Sequence, residues 1–278
     1  MKSLLKVDRR KYVKALCAVL AGVMLPLAAA HAGEIDTLKS KGKMVFGIVT
    51  DQNPFGFINS NGNNDGYDIE LARDMAKKLG VTAEFVPVTA ANRIPLLLTG
   101  KVDALICVLG MYPDRAKVVQ YTEPYAVINA SLYAKKDDKI SAVNDLAGQS
   151  IAVARASSMD KAITEVAPKT ATIRRYDDDS SAIQALLSGQ TQVLSGYSHY
   201  FPVLNKAAPN QYEQKIVLSQ EFLGIAVRPS DKDLAVWINT YLDKSEKDGS
   251  WNTLYKKWFG VDRPSLPKSL PNIPMASN

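Results

Sequence analysis

The stretch that most constrains the fold runs from Asn92 to Tyr125, where apolar segments alternate with turn residues. It predicts a helix that ends at Thr99-Gly100, a buried strand over Val102–Leu109 and a second helix that begins at Pro113. Proline is favoured in the first turn of a helix, because the N–H that it lacks would have no intrahelical partner there. Helix, strand and helix in this order are typical of a parallel sheet that is flanked by helices.

The same alternation of strands and helices extends over the rest of the chain. Strands are predicted at Lys43–Val49, Val81–Val86, Val127–Ala134, Ser150–Ala154, Thr172–Tyr176, Gln192–Ser195 and Phe222–Val227, with helices between most of them. The segment Leu97–Ala104 has a counterpart in Leu186–Val193, 89 positions later, and both read as helix, polar residue, glycine and strand. This offset is too long for a solenoid repeat and indicates two similarly wound α/β lobes.

Two arginines follow neighbouring strands of the first series. Arg93 comes after the strand Val81–Val86, and Arg115 comes after the strand Val102–Leu109. In open α/β sheets ligands bind in the crevice beyond the carboxyl ends of the strands. A guanidinium group binds carboxylates through two parallel N–H donors, so the pair predicts a small ligand that carries a carboxylate.

The first 32 residues read as a secretory signal peptide. A basic segment up to Lys14 is followed by an apolar run over Ala15–Ala30 and by Ala30-His31-Ala32, which suits cleavage after Ala32. The run is shorter than the roughly 20 apolar residues of a transmembrane helix. We therefore expect a periplasmic protein. The Arg9-Arg10 pair also resembles a twin-arginine signal, so the choice between the two export routes stays open.

The leader carries most of the excess positive charge. It holds six of the 34 Lys and Arg residues and one of the 28 acids, which leaves 28 basic and 27 acidic residues, a net charge of +1. A balance of this kind does not support nucleic-acid binding, which needs a clustered basic face. Cys107 and His199 are the only cysteine and histidine outside the leader, so we expect no disulfide, no metal site, no cofactor and no catalytic residue. A monomer is expected.

Several motifs together resemble the family 3 extracellular solute-binding proteins, the amino-acid receptors of ABC importers. They are Asn53–Phe57, Gly66–Ala72, Asn92–Leu97, Gly100–Ala104, Pro113–Lys117, Tyr121–Tyr125 and Gly249–Phe259, in this order and spacing. The resemblance implies a type II periplasmic-binding-protein-like fold, with two α/β lobes, two crossing segments as a hinge, and the ligand in the cleft between the lobes. Lobe 1 would comprise residues 33–127 and 224–278, and lobe 2 residues 128–223. An ABC permease in the membrane would be the partner.

The resemblance also implies roles for individual residues. Arg115 matches the arginine that grips the ligand α-carboxylate, and Arg93 resembles the arginine that binds a side-chain carboxylate in acidic-amino-acid receptors. Ser157 matches a lobe 2 hydroxyl at a helix N-terminus, where free amides favour an anion. Phe55 is expected to wall the cleft and Asp51 to contact the ligand. A neighbouring acid for Arg93, a plain N-cap for Ser157 and a core position for Phe55 are the alternatives.

Three positions depart from the family pattern. Gly110 stands where a serine or threonine usually binds the carboxylate, and Tyr197 stands where an aspartate usually receives the ligand ammonium. The glycine that usually precedes the lobe 2 hydroxyl is Ala156 here, and Arg155 beside it adds a third possible cation. A buried ammonium without a carboxylate is costly, so either an acid of the Asp177–Asp179 run reaches in, with Asp179 the candidate, or the ligand is not an ordinary α-amino acid.

Two other function classes compete with a receptor. A lyase of the cyclohexadienyl dehydratase type shares this fold, and its general acid or base would be Asp179 or His199. A sensory domain would be fused to a membrane span and a signalling module, and none is recognisable after Phe259. We expect a receptor and not an enzyme.

Overall fold

A computed structural model describes residues 33–276, so the predicted signal peptide lies outside the described residues. The first half of the sheet system is built from parallel strands with helices between them. Its elements are α1 (Glu34–Lys41), β1 (Lys43–Ile48), β2 (Asp51–Gln52), β3 (Gly56–Ile58), β4 (Asn64–Asp65), α2 (Tyr67–Leu79), β5 (Thr82–Pro87), α3 (Arg93–Leu98) and β6 (Ala104–Leu105). Strand β1 pairs in parallel with β5 and β6, and β2, β3 and β4 form a separate small antiparallel sheet.

The remaining elements repeat this plan and then return to the first half. They are β7 (Gln120–Lys135), β8 (Ser150–Ala154), α4 (Ser158–Val166), β9 (Thr172–Tyr176), α5 (Asp179–Leu187), β10 (Val193–Tyr197), α6 (Tyr200–Ala207), β11 (Tyr212–Val227), α7 (Lys232–Lys247) and α8 (Ser250–Phe259). Strand β8 pairs in parallel with both β9 and β10. Helix α7 begins after Asp231, and the hydroxyl of Ser230 donates to the Asp231 carboxylate at 2.6 Å.

The two parallel halves are joined by β7 and β11, two antiparallel strands of 16 residues each. The strand order β5-β1-β6-β11-β7-β10-β8-β9 places these two strands between the halves, which therefore share one continuous eight-stranded sheet. Val127 pairs with Phe222 and Ala126 with Leu223, so the predicted lobe boundaries fall at matching places in the pair. The boundaries themselves stay a prediction.

The duplicated segment has the same local structure in both halves. Gly100 and Gly189 end their helices with φ of +70° and +75°, a backbone region in which a residue without Cβ is favoured. The carboxylate of Asp103 accepts from the Val45 N–H at 2.8 Å, and the amide oxygen of Gln192 accepts from the Ser150 N–H at 2.9 Å. Each side chain thus fastens the start of a neighbouring strand, so the relation seen in the sequence is structural.

The central stretch differs from its predicted form in two places. Residues 102–110 are all buried, but only Ala104–Leu105 form a strand, because the backbone leaves the extended region at Val108, whose φ is +52°. Arg115 lies in a three-residue 3-10 turn, Arg115–Lys117, and not in an α-helix, since β7 begins at Gln120. Helix α6 was not predicted at all.

The proline-rich end of the chain is an extended strap on the first half. Its side chain Ile273 is buried, Met275 forms a bridge with Tyr121, and Lys268 makes an ion pair with Glu123 at 2.9 Å. Within residues 33–276, none of the helices combines the length and the apolar character that spanning a bilayer requires.

Candidate ligand-binding site

Arg115 connects the two halves of the molecule. Its Nη1 donates to the Gly110 carbonyl at 2.9 Å in the first half and to the Ser158 hydroxyl at 3.0 Å in the second. Its Nη2 donates to the carbonyl of Ala156 at 3.3 Å, and the guanidinium lies 5.2 Å from the centre of the Tyr112 ring. The group is half-buried, where the charge of a guanidinium is less screened than in open water. The predicted carboxylate-binding arginine therefore lies where the halves meet.

Gly110 provides the room in which these groups meet. A Cβ at this position would lie 2.5 Å from the Ser158 hydroxyl and 2.9 Å from the Glu221 carboxylate, so these side chains would have to shift to admit a larger residue. Its carbonyl accepts from Arg115 and, at 3.0 Å, from the Tyr121 hydroxyl. The serine or threonine of the family pattern would therefore require a rearrangement of the groups around Arg115.

Glu221, on β11, belongs to the same cluster and was missed from the sequence. Its side chain is 3% exposed, and its Oε2 lies 3.5 Å from the Tyr197 hydroxyl. Burial raises the pKa of Glu221, although hydrogen bonds with Tyr112 and Ser158 and the charge of Arg115 lower it. Its Oε1 has no hydrogen-bond partner among the described residues. The predicted strand began at Phe222, one residue later, so the acid directly before it was not considered.

Arg93 lies beneath this cluster and bonds to the chain's own backbone. The side chain is 3% exposed, and Nη1 donates to the carbonyls of Cys107 at 3.0 Å and Val108 at 3.3 Å. Its Nε has no partner in the part of the chain that the structure describes. The Cys107 thiol is buried, and burial raises its pKa to about 11, as expected for a core residue.

A buried carboxyl, Asp68, contacts the same bend from below. It hydrogen-bonds to the backbone of Val108 and accepts from the Tyr125 hydroxyl at 3.2 Å. Burial raises its pKa to about 8. The left-handed backbone at Val108 is unfavourable for a β-branched residue, so it depends on these side chains around it.

Asp51 and Asp179 meet on the same side of the sheet from different halves. The Asp51 carboxylate accepts from the Ser180 N–H at 3.1 Å, and the Gln52 amide donates to Asp179 at 2.6 Å. Asp179 also accepts from the Tyr200 hydroxyl. Burial raises the pKa of Asp179 to about 7, and the charge of Asp51 adds to this shift. Both predicted residues therefore lie at a contact between the halves, and neither bonds to Arg115.

Ser157 and Arg155 are placed differently from the cluster. The Ser157 hydroxyl accepts from the Asp160 N–H at 3.0 Å and caps α4, so the neighbouring Ser158 is the hydroxyl that contacts Arg115. Arg155 lies on the surface, 3.6 Å from Asp177, with side chains 56% and 90% exposed. The structure thus has Ser157 in its alternative role of an N-cap and Arg155 in a solvated pair.

Two of the predicted residues are aromatic and contact the His199 ring. Phe55 is buried against Tyr67 and His199, with ring centres 6.0 and 5.2 Å apart. Tyr197 stacks on His199 with ring centres 5.6 Å apart, and its hydroxyl lies 3.5 Å from Glu221. Burial lowers the pKa of His199 to about 3, so the ring is neutral at physiological pH. Its two nitrogens have no hydrogen-bond partner within residues 33–276.

No group of three or more histidine, cysteine, aspartate or glutamate side chains within the described residues is arranged to hold a metal ion. The site is instead a set of positively charged, acidic and hydroxyl side chains. The cations are Arg115 and Arg93, and the acids are Glu221, Asp179 and Asp51. Such a set suits a small ligand that carries both signs of charge.

Residues 44–261 match the bacterial extracellular solute-binding proteins, family 3. The chain belongs to this family. It is therefore a receptor for a small solute. Among curated relatives, it is 32% identical over 242 residues to the ABC transporter glutamine-binding protein GlnH of Bacillus subtilis (strain 168), covering 84% of this chain and 88% of the relative.

Solved structures support the same assignment and the type II fold. The solute receptor for L-cysteine of Neisseria gonorrhoeae has a TM-score of 0.77 and 30% identity, covering 81% of this chain and 93% of the other. The ancestral amino acid-binding protein AncCDT-1, a precursor of cyclohexadienyl dehydratase, has a TM-score of 0.75 and 33% identity, covering 82% and 100%. The predicted family and fold class are thereby confirmed.

Proposed function

We propose that this member of the family binds an amino acid or a related small carboxylate in the periplasm and delivers it to the permease of an ABC importer. The observation that carries the proposal is the Arg115 guanidinium, which contacts Gly110 in one half and Ser158 in the other. A ligand carboxylate placed between these groups would receive charge-assisted hydrogen bonds, which are about twice as strong as neutral ones.

The mechanism follows from this position between the halves. A ligand that touches residues from both halves binds the closed arrangement more tightly than an open one, and this difference in affinity drives closure. The two long strands β7 and β11 are the connections about which the halves would rotate. A permease would recognise the closed form, so that only the loaded receptor delivers its solute.

The chemical class of the ligand is inferred from the relatives as well as from the site. The relatives named above are binding proteins for glutamine, L-cysteine and amino acids. Arg115 and Ser158 supply donors for the carboxylate that these ligands have in common. The predicted export signal and the family favour a periplasmic location, and we propose that the receptor acts as a monomer.

Calorimetric titration of the exported protein tests the proposal. The ligands are the twenty L-amino acids, dicarboxylates and sulfonates, and the variants are Arg115→Ala and its control Lys117→Ala, an exposed residue of the same turn. We expect at least one amino acid to bind and its affinity to fall about 100-fold or more in Arg115→Ala. Lys117→Ala should change it less than about threefold. Equal affinity in both variants would contradict the role of Arg115.

We propose that the protein is a receptor and not a lyase of the cyclohexadienyl dehydratase type. The two nominated proton donors are occupied or uncharged: Asp179 is bonded to Gln52 and Tyr200, and His199 is neutral and packed between aromatic rings. Incubation with prephenate and arogenate should leave both compounds unchanged by ultraviolet absorbance and mass spectrometry. Conversion that is lost in Asp179→Asn would establish the enzyme instead.

A further inference from the structure

The site lacks the acid that the family pattern places at the end of β10, because Tyr197, the last residue of that strand, occupies the position. A ligand with an ammonium group would then leave a buried positive charge without a partner, unless another carboxylate faces it. The acids of the second half do not fill this role. Asp177 is exposed beside Arg155, and Asp179 already accepts from Gln52 and Tyr200.

Glu221 belongs to this cluster, and one of its two carboxylate oxygens is free to accept a hydrogen bond. Its Oε1 is buried and has no hydrogen-bond partner among the described residues, whereas its Oε2 lies 3.5 Å from the Tyr197 hydroxyl. Asp68 also has a buried oxygen without such a partner, but it bonds to Tyr125 and to the backbone of Val108 beneath the site. Glu221 is therefore the acid that is available to a ligand.

Glu221 and Arg115 lie around the same glycine. The Arg115 Nη1 donates to the Ser158 hydroxyl at 3.0 Å and to the Gly110 carbonyl at 2.9 Å. A Cβ built on Gly110 would lie 2.5 Å from that hydroxyl and 2.9 Å from the Glu221 carboxylate. A guanidinium and a carboxylate therefore border the same position, and their charges are complementary to the carboxylate and the ammonium of an α-amino acid.

We propose that Glu221 receives the α-ammonium group of the ligand, so that the site selects zwitterionic α-amino acids over carboxylates without an amine. This inference rests on the proposed function, in which Arg115 binds the α-carboxylate. The Glu221 Oε1 is buried without a hydrogen-bond partner among the described residues, and an ammonium group supplies three N–H donors and a positive charge for it. The acid has thereby moved from the end of β10 to β11, one of the two connecting strands, and Tyr197 holds it through a hydroxyl.

Titration with matched ligands tests the inference. The probes are the L-amino acid that binds most tightly and the same molecule without its amine, such as L-glutamine with 4-carbamoylbutanoate or L-arginine with 5-guanidinopentanoate. In the unmodified protein we expect the amine to improve affinity at least 100-fold. In Glu221→Gln that preference should fall to less than about fivefold, because the amino acid loses affinity and its deaminated analogue does not.

Two further variants keep the test decisive. Glu213→Gln, on the same strand and paired with Lys215 at 2.7 Å, should retain the full preference for the amine. Glu221→Asp keeps the charge and should retain part of the preference, even if Glu221→Gln folds poorly. A preference that is unchanged in both Glu221 variants would overturn the inference.

The test also separates this inference from the proposed function. If carboxylates bind through Arg115 but amines never improve affinity, the receptor stands and the role of Glu221 is wrong. If none of the amino acids or carboxylates binds, the proposed function fails, and the role of Glu221 fails with it.

Discussion

Arg93 and Arg115 occupy equivalent places in the sequence and have opposite surroundings in the structure. Each follows a strand of the first half and begins the next helical segment. Arg115 is half-buried and donates to groups from both halves of the molecule. Arg93 is 3% exposed and donates to the carbonyls of Cys107 and Val108, which belong to its own half.

The different surroundings of the two arginines show that a position after a strand end locates the side chain but does not determine which groups it binds. The carbonyls that Arg93 contacts lie at the bend where Val108 adopts a φ of +52°. Arg115 instead donates to groups from both halves, the carbonyl of Gly110 in the first and the carbonyl of Ala156 and the hydroxyl of Ser158 in the second. We infer that Arg93 mainly supports the structure and that Arg115 mainly serves the ligand, although a contact of Arg93 with a ligand side chain stays a prediction.

The distinction between the two arginines is tested most directly by removing each guanidinium and measuring the free energy of unfolding. Arg93→Met leaves two buried carbonyls with one donor fewer and removes a positive charge near Asp179 and Glu221. We expect the free energy of unfolding in urea to fall by about 2–4 kcal/mol. Arg115→Met should lower it by less than about 1 kcal/mol, since its half-exposed donors can turn to water. Equal losses would remove the distinction.

The acid below the bend predicts a pH dependence that Arg115 would not share. Burial raises the pKa of Asp68 to about 8, so the folded state holds a proton that the unfolded state releases near pH 4. Its contribution to stability is complete below about pH 4, decreases as the pH rises and is lost above about pH 8. Asp68→Asn should therefore unfold at a higher urea concentration than the unmodified protein at pH 8, by on the order of 2 kcal/mol.

At pH 4 the two proteins should differ far less, because Asp68 is then protonated in the folded state and about half protonated in the unfolded state. The measurement is a series of urea titrations between pH 4 and pH 9, monitored by tryptophan fluorescence. A stability difference that does not change with pH would show that the carboxyl is ionised in the folded protein. Tyr125→Phe, which removes the hydroxyl bonded to Asp68, serves as the control for the loss of a hydrogen bond alone.

A smaller contrast separates the adjacent hydroxyls Ser157 and Ser158. Ser157→Ala removes the N-cap of α4 and should cost about 1 kcal/mol of stability, with ligand affinity changed less than about threefold. Ser158→Ala should have the opposite pattern, with affinity about tenfold weaker, because its hydroxyl lies against Arg115 and Glu221. Calorimetry together with thermal unfolding checks both. A large affinity loss in Ser157→Ala would restore the sequence-based prediction for that residue.

Arg155→Ala should have the smallest effect. Its ion pair with Asp177 spans 3.6 Å between two exposed side chains, and such pairs contribute little in water. We expect stability within about 0.5 kcal/mol of the unmodified protein and ligand affinity within about twofold. A tenfold loss of affinity in calorimetry would place Arg155 in the site as the third cation that the sequence suggested.

Local patterns were sufficient for most of the fold. The apolar patterns located strands β1, β5, β8, β9 and β10, because such patterns arise from which faces are buried, whereas the short strands β2–β4 and residues 212–221 of β11 were not predicted. The duplicated glycine stops were also recognisable, since a left-handed helix end favours glycine. The left-handed Val108 left no trace in the sequence, because its conformation depends on contacts with residues distant along the chain.

The site was less predictable, for reasons that particular residues make clear. Consecutive residues at a helix start point about 100° apart, so the sequence could not decide whether Ser157 or Ser158 faces Arg115. Glu221 enters the cluster only because β11 is positioned beside β6, β7 and the Gly110 segment. No local pattern reports that pairing.

The family, the alternation of strands and helices, and the arginines at strand ends could be predicted from the amino-acid sequence alone. Each of these properties depends on residues that are close together in the chain. Only the tertiary structure decided which arginine contacts both halves, which serine faces it and which acid stands beside it. These choices depend on atoms that are brought together across more than 100 residues of chain, as Glu221 and Gly110 are, and their burial sets the energies that distinguish a binding group from a structural one.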